Sequence, residues 1–125
     1  MEKIKVMIVD DEEDFLKITK INLEKTGRYE VKTMPDAADI VLQVKSFSPD
    51  IILLDILMPR MDGAEVCKLL KKDSVGGHIP IVTLSALDTD KDRQVMYKMG
   101  VVDFLAKPVE KDEIIAKIEE VLQRK

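Results

Sequence analysis

A single cysteine, Cys67, stands in the 125 residues, so no internal disulfide can form, which fits a reducing compartment. Histidine is equally scarce: His78 lies in a short loop with no partner set for a metal site, and it reads as solvent-facing. No apolar stretch approaches the roughly 18 residues that a membrane helix needs. The first apolar run, Val6 to Val9, is short and meets acidic residues at once, which is unlike a secretory signal. Positive charge is not in excess. The net charge is −4 and the basic end, Arg124-Lys125, is brief, so direct nucleic-acid binding by this chain is not expected. Glycine is missing from Asp10-Asp11-Glu12-Glu13, a turn that would repel a pyrophosphate and excludes a dinucleotide-binding fingerprint. These absences predict a soluble, cytoplasmic chain without membrane contact. With 46% apolar residues, its length suits one domain over 1–125, with no output domain in this chain.

Short apolar runs alternate with stretches of helical periodicity, the pattern of an α/β protein with a parallel sheet. Strands are predicted over 4–9, 29–33, 51–55, 80–85 and 101–106, and helices over 12–26, 36–46, 63–72, 88–99 and 109–123. The second helix carries Ala37, Ile40, Val41, Val44 and Phe47 on one face; the fifth carries Ile114, Ile115, Ile118, Val121 and Leu122. Gly27 and Gly100 fall where helices should end. Ile51 to Leu54 is apolar throughout, as for a strand buried on both faces, whereas Tyr29 to Thr33 alternates, as at an edge. Both features suit a doubly wound, flavodoxin-like sheet of order 2-1-3-4-5, with the first and third strands adjacent at the switch point.

Polar residues close the strands. Asp10 and Asp11 follow the first, Asp55 ends the third, Ser85 ends the fourth, and Lys107 follows the fifth. At one sheet edge these groups would share a pocket. Crowded carboxylates repel unless a divalent cation joins them, and an ammonium beside them suits an incoming phosphoryl group. The combination points to a phosphorylation site.

These residues resemble the receiver domain of two-component response regulators. The resemblance rests on Val9-Asp10-Asp11-Glu12, Leu54-Asp55, Met58-Pro59, Met61-Asp62-Gly63, Ile79-Pro80, Thr83-Leu84-Ser85-Ala86, Gly100, Phe104 and Lys107-Pro108, in order along nearly the whole chain. It implies the receiver fold, with Asp55 as phosphoacceptor for a phosphohistidine on a sensor histidine kinase or histidine phosphotransfer protein. Mg2+, with Mn2+ as substitute, is implied on Asp10, Asp11, Asp55 and the backbone carbonyl of Leu57. Lys107 would meet a phosphoryl oxygen, aimed by a Lys107–Pro108 bond that is usually cis in the family. Ser85 and Phe104 would be the switch pair, changing the surface of the fourth helix, fifth strand and fifth helix to control a downstream effector or an attached output domain. Such a chain is no enzyme in the ordinary sense; it promotes its own phosphorylation and dephosphorylation. Arg93, Asp103 and Lys117 partly match positions used for phosphorylation-dependent homodimers. Leu57 and Leu87 flank the route of hydrolytic water and cannot orient it, so a comparatively long-lived acyl phosphate is expected. Phe104 in place of tyrosine has no hydroxyl to bond outward, and an inward rotamer is expected before phosphorylation.

The remaining polar and soft residues read more simply. Glu12 is expected as a first-turn helix residue favoured by the dipole, not as a metal ligand. Cys67 is read as a partly buried thiol, and Met96 and Met99 as packing residues. The helix over 88–99 has the thinnest apolar face, with Val95 and Met99 its clearest buried pair, which suits an element that shifts. A haloacid-dehalogenase-like phosphatase would want an Asp-x-Asp pair, whereas Asp10 and Asp11 are adjacent. A phosphorylation-independent adaptor would usually have lost the acidic pair, the acceptor or the lysine, and all are retained.

Overall fold

In the computed structural model, which describes residues 2–56, 63–73, 76–85, 94 and 97–124, the apolar runs form five strands. They are β1 (Ile4–Val9), β2 (Tyr29–Met34), β3 (Ile51–Asp55), β4 (Ile81–Ser85) and β5 (Asp103–Ala106). The periodic stretches form α1 (Glu13–Glu24), α2 (Ile40–Phe47), α3 (Gly63–Lys72) and the C-terminal helix, α4 (Lys111–Gln123). All strand pairs are parallel, in the order β2-β1-β3-β4-β5 that the sequence predicts.

Alternation along each strand divides the core in two. Met7, Val9, Ile52, Leu54 and Ile81 face one layer, where they meet Val44 of α2 and Val66, Cys67 and Leu70 of α3. Val6, Ile8, Ile51, Leu53, Val82 and Leu84 face the other, against Leu16 and Leu23 of α1 and Ile114, Ile118 and Val121 of α4. Every residue of β3 is buried, as a central parallel strand requires. Cys67 is wholly buried rather than partly so, because it shares the inward face of α3 with Val66 and Leu70. Met99 packs against the first layer as expected.

Several boundaries differ from the periodicity, each for a local reason. The second helix starts at Ile40 rather than near 36, because Asp36 Oδ1 accepts the Ala38 N–H at 2.8 Å and Asp39 sits in the left-handed region at φ 55°. Ala37 still packs on the core beside it. The fifth strand starts at Asp103, and the helix after it starts at Lys111 behind a reciprocal cap between Glu110 and Glu113. Gly27 and Gly100 take positive φ, 78° and 91°, which spares a side chain the strain of those turns. His78 is exposed, in a single 3-10 turn over Gly76–His78. Within the helix predicted over 88–99, Gln94, Tyr97 and Lys98 are helical; Val95, Met96 and Arg93 lie outside the described residues.

Asp103, matched above to a position used for homodimers, is buried and spends its charge inside the chain. Its Oδ2 accepts from Lys117 Nζ at 3.0 Å and Arg124 Nη2 at 2.8 Å, and its Oδ1 from the Phe104 N–H at 2.8 Å. Burial pushes its carboxyl upward, but those bonds together outweigh it and hold the group below the usual carboxylate range.

Candidate functional site

The strand order decides which distant residues meet. β1 and β3 are neighbours with Val9 paired to Leu54, so Asp10 and Asp55 emerge side by side at the C-terminal edge of the sheet. One carboxylate oxygen from each of Asp10, Asp11 and Asp55 lies within 4.8 Å of the others. Asp10 is wholly buried, Asp55 nearly so, and Asp11 is exposed, which leaves the group open on one side. Asp10 is fixed by its own turn, with Oδ1 accepting the Glu12 N–H at 2.9 Å. Ser85 ends β4 at the same edge, its backbone paired with Ala106.

Lys107 completes the arrangement from the end of β5, across β4 from the acidic strand ends. Its long stem carries Nζ to 2.6 Å from Asp10 Oδ2, 2.8 Å from Glu12 Oε1 and 3.4 Å from Asp55 Oδ2. The ammonium also lies 5.0 Å from the centre of the Phe15 ring. The Lys107–Pro108 bond is cis, as the resemblance implies. Burial alone would lower the lysine's pKa, yet Asp10, Glu12 and Asp55 outweigh it and hold the ammonium far above its ordinary range. Asp10 shifts upward: burial dominates, Lys107 and the Glu12 N–H oppose it, and Asp55 adds repulsion. The two shifts have different causes: burial raises Asp10, and the neighbouring carboxylates raise Lys107. Among the described residues, three carboxylates share the Lys107 ammonium. Donors that are all oxygen, clustered and partly open to water, suit a hard divalent cation.

Of the residues expected here, the geometry brings together Asp10, Asp11, Asp55 and Lys107. Phe104 on β5 is half-buried and packs against the layer under α2 and α3. Leu57, Leu87 and the side chain of Ser85 lie outside what is described. Glu12 differs from its expected part. It stands just before α1, caps nothing with its side chain, and turns that side chain to Lys107. Its position two residues past Asp10, at the mouth of the turn, was the available sequence signal; the partner, at position 107, was not visible locally.

Residues 6–119 match the response regulator receiver domain. The chain belongs to that family. Receiver domains of this family are modules of two-component signalling, and relatives agree over nearly the whole chain. The alkaline phosphatase synthesis transcriptional regulatory protein PhoP of Bacillus subtilis (strain 168) is 34% identical over 120 residues, covering 96% of this chain and 49% of that protein. The chain thus spans about half the length of that relative. Among solved structures, the chemotaxis protein CheY4 of Vibrio cholerae superposes with a TM-score of 0.89 at 26% identity, covering 96% of this chain and 99% of that one. The receiver domain of the Francisella response regulator 1452 gives 0.86 at 28% identity, covering 98% of each chain.

Proposed function

We propose that Asp55 accepts a phosphoryl group from a phosphohistidine on a sensor histidine kinase or a histidine phosphotransfer protein. The observation that carries this reading is the convergence of Asp10, Asp11 and Asp55 within 4.8 Å, with the Lys107 ammonium set against two of them. An Asp55 carboxylate oxygen attacks phosphorus, a P–O bond forms, the P–N bond breaks, and the imidazole nitrogen leaves with the electron pair and takes up a proton. Lys107 meets a phosphoryl oxygen and balances charge as it arrives. Asp10, Asp11 and Asp55, with the carbonyl of Leu57, would hold Mg2+ or its substitute Mn2+, which supplies the charge neutralisation that three carboxylates and a phosphoryl group require.

Ser85 and Phe104 form the switch in this reading. The packing of half-buried Phe104 against the core supports the expectation that its ring lies inward before phosphorylation. The response would reach the surface around β5, α4 and residues 88–99, and act on a downstream effector protein or on an attached output domain. The chain would work in the cytoplasm, without direct nucleic-acid binding of its own; among the described residues no helix is long and apolar enough to cross a membrane. A phosphorylation-dependent homodimer through this face belongs to the same reading; within one chain, Asp103 and Lys117 pair with each other at 3.0 Å.

Intact-mass measurement after incubation with Mg2+ and a small phosphodonor tests the reading. A single phosphoryl adduct is expected on the wild type and none on Asp55→Asn. Because Leu57 and Leu87 cannot orient water, the adduct should decay slowly in the same samples. Steady turnover of the donor without an adduct would instead identify a hydrolase.

A further inference from the structure

Glu12 has no part in the reading above, yet its carboxylate is bonded into the site. Its Oε1 lies 2.8 Å from Lys107 Nζ, against 3.4 Å from the same nitrogen to Asp55 Oδ2. The Lys107 ammonium donates to Glu12 and to Asp55 and stands in an ion pair with Asp10 at 2.6 Å, so three carboxylates already surround it. A phosphoryl oxygen arriving at Asp55 competes for that ammonium with the carboxylates already around it. Asp10 is wholly buried and has no water to turn to, and Asp55 is the reacting group. The Glu12 side chain is 62% exposed and can swing into solvent at little cost.

We propose that Glu12 is a positioning residue that competes with the incoming phosphoryl group for Lys107 and thereby slows phosphorylation. The inference rests on Asp55 being the acceptor. Glu12 keeps the ammonium engaged while the site is unmodified and gives it up during transfer. Its main chain has a separate task, since the Glu12 N–H orients Asp10 at 2.9 Å. That bond survives a change of side chain, and the side chain makes no cap bond to α1. Substitution therefore isolates the competition. Glu13, the next residue, is exposed and acidic, and among the described residues it makes no contact with Lys107.

At saturating Mg2+, Glu12→Ala should take up phosphate from a small phosphodonor about two- to five-fold faster than the wild type, the range for loss of an exposed ion pair. Glu12→Gln should fall between them, because its amide oxygen still accepts a weaker bond. Glu13→Gln removes the same charge from the same helix start and should change the rate much less. A readout independent of activity is the 15N resonance of the Lys107 ammonium, measured without Mg2+ or phosphodonor. It should move in Glu12→Ala and stay in place in Glu13→Gln. Equal or slower phosphorylation of Glu12→Ala, an equal acceleration by Glu13→Gln, or an unmoved ammonium resonance each overturns the inference. A wild type that takes up no phosphoryl group sinks the acceptor reading first and the inference with it. A phosphorylated wild type matched in rate by Glu12→Ala overturns the inference alone.

Discussion

Asp10 has no solvent exposure and lies 2.6 Å from the Lys107 ammonium, so the lysine is structural as well as chemical. Truncating it removes the cation that Asp10, a buried carboxylate beside Asp55, is paired with among the described residues. We expect Lys107→Ala to lower stability by about 1–3 kcal/mol in metal-free buffer, the usual cost of a buried polar group stripped of its partner. Added Mg2+ should then raise the melting temperature of Lys107→Ala by more than it raises that of the wild type, because the dication would replace the missing charge. Thermal melts with and without Mg2+ check both statements; equal gains would show that the carboxylates do not depend on Lys107 for neutralisation. The same electrostatics explain why Glu12 escaped sequence reasoning. Its partner is a residue at the far end of the chain, and adjacency at a helix start favours the bland dipole explanation.

Helix α3 begins at Gly63, and a Cβ placed there would lie 2.9 Å from Ile56 Cβ and 3.0 Å from Ile56 Cα. Ile56 directly follows Asp55, so the start of this helix is pressed against the backbone that carries the central carboxylate. Gly63→Ala should force the helix away or displace Ile56, at a cost of about 1–3 kcal/mol for overpacking. Chemical denaturation would measure it; a wild-type midpoint would show that the contact relaxes freely. Some spans were legible to the residue: α3 matches its predicted 63–72, and β1 and β3 match theirs. The start of α2 was not legible, because Asp36 and Asp39 fit a helical spacing while their side chains and backbone favour a turn.

For the molecule as a whole, acid stability carries the mark of Asp103, which ties the edge strand β5 to α4 through Lys117 and Arg124. Its carboxyl is held below the ordinary 3.8, so its contribution is full above that pH and is lost as pH falls through the lower folded value. The melting-temperature gap between wild type and Asp103→Asn should therefore be widest near neutrality and shrink below pH 3.8. A gap that is constant across acid pH would place the stabilisation elsewhere. The partners of Asp103 come from the last helix and its cap, so its pairing was not visible from the residues around position 103. The acidic residues of the site were readable, by contrast, because strand order alone brings them together.

The unbroken apolarity of β3 has one more effect. Ile51, Ile52, Leu53 and Leu54 are buried on both faces, so sliding the strand by one rung would cost the hydrophobic layers little. Asp55 removes that freedom. Drawn one step inward, its charge would enter a dry interior; pushed one step outward, the strand would draw Asp50 into the place of Ile51 beside Val6. The carboxylate at the strand's tip thus acts as a stop that fixes the alignment of the middle of the sheet.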